Sequence, residues 1–130
     1  MLACAVLFAQ ERLRSVWDAV YTSQQAERGR QQYLNRCADC HGDELEGDVV
    51  EHPELAGGNF RDKWDGETLG NLFERIHRDM PQRNPGTLSR ETTVDLIAYI
   101  LSMNKYPPGP QELPRDTPSL KEIRIESHHR

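Results

Sequence analysis

The sequence predicts an all-α fold of three main helices, long connecting loops and a Pro-rich C-terminal tail. Three observations predict it. Three separate stretches carry apolar residues at helical spacing, no stretch alternates as a strand does, and the first helical stretch runs into the motif Cys37-Ala38-Asp39-Cys40-His41. The 130 residues fit one small domain. Hydrophobic residues make up 36% of the chain, and mean hydropathy is −0.78. That is little apolar material for a fold this small, so a bound apolar group would supplement its core.

Taken in order, the first helix is expected from Thr22, where Thr22-x-x-Gln25 resembles a capping box. Its buried side reads Ala26, Gly29, Tyr33 and Cys37, at spacings of three, four and four. Gly29 is a poor helix former, and its use there is the close approach of another helix. Residues 42–66 read as a loop, punctuated by Gly57-Gly58 and Asp65-Gly66.

The second helix is expected over Glu67 to Arg78, with Leu69, Leu72, Phe73 and Ile76 as its apolar stripe and Pro81 ending it. The third starts at the N-cap Ser89 and runs to Met103. Val94, Ile97, Ala98 and Leu101 form its stripe, Leu96 and Ile100 thicken it, and Asn104 is its stop. Tyr106-Pro107-Pro108-Gly109-Pro110 cannot be helical. Beyond it Leu113, Leu120, Ile123 and Ile125 suit a tail lying on the domain surface. The resulting division is a secretory-signal remnant at 1–9, an N-terminal extension at 10–22, a domain at 23–104 and the tail at 105–130.

Cys-x-x-Cys-His is the attachment site of a c-type haem. Two residues between the cysteines let both sulfurs add to the vinyl groups of one porphyrin edge. The next residue, His41, then brings an imidazole to the iron. A thiol–disulfide pair would follow a strand in a βαβ context, and nothing upstream of Cys37 reads as a strand. Zinc needs four ligands, which here would mean adding His52 or His77 to Cys37, Cys40 and His41.

The formal net charge is −5. No basic cluster stands apart from acidic neighbours, which excludes a nucleic-acid binder. The apolar run Leu2 to Ala9 is too short to span a bilayer and looks like the end of a secretory signal. Acylation of Cys4 is the lesser alternative, because the apolar residues follow that cysteine. Attachment of haem to this motif happens outside the cytoplasmic membrane, which points to the periplasm independently. Cleavage after Ala9 would remove Cys4 and leave only the two haem-bound cysteines.

The second axial position of the iron decides function. A His/Met pair saturates the metal, raises its potential and suits electron transfer. Met80 is the candidate, in the polar run Arg78-Asp79-Met80-Pro81-Gln82 between two helices. Met103 sits on a helical stripe as core filler, and Met1 is the initiator. His77 and His52 compete, and bis-histidine ligation would lower the potential. A ligating histidine generally donates its other N–H to an oxygen, and Pro53 could offer its carbonyl to His41. Arg61, Lys63 and Trp64 are grouped to receive haem propionates, or form an ordinary polar loop.

These residues together resemble a class I cytochrome c. The matching set is Gly29-x-x-x-Tyr33-x-x-x-Cys37-x-x-Cys40-His41-Gly42, then Pro53-x-Leu55-x-Gly57, Met80-Pro81, and Asp95-Leu96-Ile97-Ala98-Tyr99-Ile100. The resemblance covers residues 23–104. It implies a cytochrome c fold with one covalent haem c and its iron, and Gly29 and Tyr33 crossing the third helix near Tyr99. It also implies that the Pro53 carbonyl orients His41 and that Met80 ligates the iron.

Ser15-Val16-Trp17-Asp18, Val20-Tyr21-Thr22 and the tail from Pro107 to Ile125 resemble small bacterial monohaem cytochromes that accompany PQQ-dependent dehydrogenases. That likeness implies a periplasmic carrier, monomeric when free, taking electrons from a dehydrogenase and passing them to a respiratory oxidase or another cytochrome. Asp43, Glu44, Glu46, Asp48, Glu51 and Glu54 crowd one loop, while Arg75, Arg78, Arg83 and Arg90 gather near Met80. This asymmetry could steer docking or be two solvated faces. The alternatives are an open iron for gas binding or peroxide chemistry, and a fixed cytochrome subunit of a larger redox complex. No constellation for hydrolysis or group transfer is present.

Overall fold

The computed structural model describes residues 14–129. Helix α1, Ser23–Arg36, begins where Thr22 Oγ1 accepts the Gln25 N–H at 3.1 Å. The expected capping box is only half used, because Gln25 Oε1 accepts the Leu113 N–H from the tail at 2.8 Å. Cys37 ends α1, and one further turn, α2 (Ala38–His41), carries the rest of the motif.

The stretch expected as loop contains helix α3, Gly58–Trp64. Seven residues are too few to show a period, and the glycine pair reads as a turn. Gly57 is in fact its N-cap, at φ 117°, a conformation that favours glycine. Helix α4 spans Leu69–Asp79 and α5 spans Arg90–Met103, capped by the hydroxyls of Thr68 and Ser89. Glu67 stays out of α4 because its carbonyl accepts the Ile125 N–H at 2.7 Å.

Helix α6, Thr117–Lys121, is capped by Asp116. A parallel pair of two-residue strands joins β1 (Arg14–Ser15) to β2 (Ile123–Arg124), with Arg14 opposite Ile123. Two residues cannot display alternation, so these strands carried no sequence signal. None of the described helices is long and apolar enough to cross a membrane.

The core centres on the crossing of α1 and α5. A Cβ on Gly29 would land on the Asp95 backbone carbonyl, and the Tyr33 and Tyr99 rings pack with centroids 5.4 Å apart. Backbone cannot swing aside as a side chain can. Gly29→Ala is therefore expected to destabilise by about 1–3 kcal/mol through overpacking. That outweighs the gain of about 1 kcal/mol in helix propensity, and a guanidinium titration of the holoprotein measures it.

The tail is more than a surface cover. Leu113, Leu120, Ile123 and Ile125 are buried and belong to the same core as the helices. Trp17 Nε1 and the Tyr106 hydroxyl both donate to the Glu126 carbonyl, at 3.1 and 2.9 Å, which closes the N-terminal extension onto the tail.

Arg28 ties tail to helices, donating from Nε to Asp95 at 3.2 Å and from Nη2 to Glu112 at 2.6 Å. The Arg28 contact holds the Glu112 carboxyl below its ordinary value of 4.5. A depressed folded value means the contribution is complete above that ordinary value and is lost as pH falls through the folded one. Melting temperature should therefore drop on acidification below about pH 4.5. Arg28→Ala is expected to flatten that drop, as scanning calorimetry across pH 3–7 would read (a range set by the usual carboxylate values).

Candidate functional site

One cavity of about 240 Å³ gathers residues from five helices and two loops. Cys37, Cys40 and His41 line it from the α1–α2 junction, and Met80 from the end of α4. Leu55, Leu72, Ile76, Leu96 and Ile100 make its wall apolar.

Local structure places each polar group. The His41 N–H donates to the Cys37 carbonyl at 2.9 Å, and the His41 carbonyl accepts the Gly47 N–H at 2.6 Å. The chain then leaves α2 through Gly42 at φ 86°, whose carbonyl accepts from the Tyr33 hydroxyl at 2.7 Å. The His41 ring is buried, and its Nδ1 lies 2.9 Å from the Pro53 carbonyl oxygen. A carbonyl only accepts, so the ring proton sits on Nδ1 and Nε2 keeps its lone pair. Met80 is the C-cap of α4, its N–H donating to the Ile76 carbonyl at 3.0 Å, and is half-buried at the cavity.

The competing histidines separate. His77 stacks on Phe73 with centroids 5.1 Å apart, has Nδ1 3.4 Å from Thr93 Oγ1, and is not in the lining. His52 does line the cavity. Its Nδ1 is 2.6 Å from Asp48 Oδ2, and its ring stands 6.1 Å from that of His41. Asp48 Oδ1 accepts the N–H groups of Val50, Glu51 and His52. These bonds, with the His52 contact, hold the Asp48 carboxyl well below the usual range.

Of the propionate-side candidates, Lys63 and Trp64 line the cavity and Arg61 does not. Lys63 and Arg61 are two residues apart on α3, roughly 200° around the helix, so they face different ways. Arg36 and Arg75 line the cavity without having been singled out as such. Glu54, read only as one of the acidic run, accepts the Phe60 N–H at 3.2 Å and so secures the start of α3. The basic group near Met80 is partly compensated: Arg78 and Arg75 pair with Asp79, and Arg90 donates to the Arg115 carbonyl and Thr117.

Alternative chemistries fit poorly. Burial pushes the Cys37 thiol up to about 11, against the lowered value a reactive dithiol needs. Among the described residues no three His, Cys, Asp or Glu side chains gather to hold a bare metal ion, so zinc has no ligand set there. Two thiols, a free imidazole Nε2, a thioether and an apolar wall fit a haem.

Residues 24–100 match the family model described as cytochrome C oxidase, cbb3-type, subunit III. That is more than half of the 130 residues. The chain belongs to this family. It is a class I c-type cytochrome, with haem c and its iron as the covalent cofactor. The cytochrome also resembles the sulfane dehydrogenase SoxCD from Paracoccus pantotrophus, at 23% identity and a TM-score of 0.53. The match covers 84% of this chain and 61% of that one, so the cytochrome spans less than two thirds of its length. At this identity the likeness shows the fold. Among curated proteins none matches. The expected all-α cytochrome c fold is the one found.

Proposed function

We propose that the cytochrome carries single electrons in the periplasm, from a dehydrogenase donor, a PQQ quinoprotein on the narrower resemblance, to the respiratory chain. One observation carries this reading: the Met80 thioether and the His41 imidazole border the same cavity as the two motif cysteines. Cys37 and Cys40 would hold the haem, and His41 and Met80 would be its axial ligands. Bound haem supplies one-electron ferric–ferrous chemistry.

The chain's own residues do the rest. Pro53 fixes the ring plane and tautomer of His41 through the Nδ1–H contact. Leu55, Leu72, Ile76, Leu96 and Ile100 exclude water, and Lys63, Trp64 and Arg75 are the lining residues that would donate to the propionates. A filled sixth position favours electron transfer over gas or peroxide chemistry.

Optical spectra of the matured holoprotein test this. A low-spin reduced spectrum, with the weak red charge-transfer band of a Met-ligated ferric haem, is the expected result. A high-spin spectrum, or prompt change with carbon monoxide, would replace it with the open-iron reading. Export is read separately, by fractionation and the mass of the mature chain; residues 1–9, with Cys4, lie outside the described residues.

A fixed place in a larger redox complex is a second reading, supported by the matched family's description as an oxidase subunit. Co-purification through gel filtration separates a resident subunit from a transient carrier, whose interfaces are small.

A further inference from the structure

Asn104 stops α5 as expected, as its C-cap, but it does so without the left-handed conformation that favours asparagine there. Asparagine serves there by adopting the left-handed conformation, yet Asn104 has φ −89° and ψ 7°, and Lys105 takes the positive φ. Its side chain accounts for it instead. Asn104 is 2% exposed. Its amide nitrogen donates to the carbonyls of Leu55 and Ile100, each at 2.9 Å, and its oxygen accepts the Gly57 N–H at 3.0 Å. Both donors and the acceptor of the amide are engaged.

Two of those three bonds go to the loop that carries Pro53. Residues 53–57 belong to no helix or strand. Their backbone is held by the Leu55 N–H on the Leu45 carbonyl at 2.9 Å, by the Arg61 N–H on the Gly57 carbonyl at 3.1 Å, by the bonds to Asn104, and by Pro53 itself on His41. Asn104 thus anchors this loop to the end of α5, the most thoroughly buried helix of the fold.

We propose that Asn104 is a positioning residue for the iron ligand: by fixing the Leu55–Gly57 turn it keeps the Pro53 carbonyl on the His41 ring N–H. This rests on His41 being the ligand, as proposed above. The consequence is electronic as well as structural, because a firm acceptor on the far ring nitrogen raises the basicity of a ligating histidine. A more basic ligand stabilises the ferric state, so a loosened Pro53 contact raises the midpoint potential.

The test uses matured Asn104→Ala and Asn104→Ser holoproteins beside the wild type and Leu120→Ala. Leu120 is fully buried and outside the cavity lining, so its truncation costs stability without touching the loop. In the reduced Asn104 variants the His41 ring proton should exchange with solvent up to about tenfold faster, the equivalent of one hydrogen bond. The midpoint potential should rise, and Asn104→Ser, which keeps a small polar group, should move less than Asn104→Ala. Leu120→Ala should leave both readouts at the wild-type value. Unchanged exchange and potential in the Asn104 variants, a lowered potential, or an equal shift in Leu120→Ala would overturn the proposal. Failure of the underlying ligand reading is distinguishable, because it would show in the wild-type spectrum before any variant is made.

Discussion

Met80→Ala is expected to turn the carrier into a protein whose reduced form binds carbon monoxide on mixing. The thioether is the only methionine sulfur among the cavity's lining residues, since Met103 packs on the core elsewhere. On the proposed ligation, its removal would leave the sixth position to water or an added ligand, and the weak red charge-transfer band would be lost. A thioether raises the potential of haem iron, so the midpoint should fall. The rate of electron delivery should drop by more than the roughly 10–100-fold that loss of an outer hydrogen-bond partner costs a metal site.

His52 is the side chain that could blunt this result. Its ring stands edge-on to that of His41, 6.1 Å away, and its Nδ1 is held by Asp48. It stands beside the His41 ring and is held there by Asp48, so it would compete poorly with a group on the Met80 side of the cavity. Met80→His is the matching variant. It should restore a saturated iron that resists carbon monoxide, at a lower potential than the wild type. Carbon monoxide difference spectra and a redox titration of the two variants check both statements. Resistance of Met80→Ala to carbon monoxide would mean that another side chain holds the sixth position.

The same cavity shows which features a single sequence can display. Cys37, Cys40 and His41 are legible because haem attachment fixes both residue types and their spacing within five positions. Helices α1 and α5 are legible because long segments carry apolar residues at helical spacing and a cap, and Thr22 and Ser89 cap them as expected. Helix α3 was not, because seven residues that open inside a glycine pair look like a turn. That omission also hid the facing of Arg61 away from the cavity. The bonding of Asn104 to Leu55 and Gly57 spans 47 to 49 positions, and nothing local in the sequence marks such a contact. Glu54 and Gln25 repeat the point. Each has a side chain that satisfies a backbone N–H elsewhere, at Phe60 and Leu113, where the sequence suggests an acidic loop and a local capping box.

Removal of residues 106–130 is expected to abolish folding, not merely to free an anchor. The aliphatic residues of this stretch were expected to lie on a finished domain, and the structure places them inside it. Tyr106, Leu113, Leu120, Ile123 and Ile125 are each 3% exposed or less. Burying a side chain of this size stabilises by about 1.5–3 kcal/mol, and five of them together rival the 5–15 kcal/mol that typically holds a whole domain.

The hydrogen bonds point the same way. Without the tail the Tyr21 hydroxyl loses the Tyr106 carbonyl, 2.5 Å away, and Gln25 Oε1 loses the Leu113 N–H. Arg28 and Gly66 lose their partners at Glu112 and Ile125 as well. Tyr21 and Gln25 are buried, and buried groups left without partners cost about 1–3 kcal/mol each. Covalent haem would persist on such a chain, because thioether bonds survive unfolding, but its ligands would not stay in place. The truncated product should therefore be red yet lack both the Met-ligated band and a cooperative melt. Circular dichroism and the near-infrared spectrum on one sample read this directly. A truncated protein that melts cooperatively with the band intact would mean that the tail is dispensable to the fold.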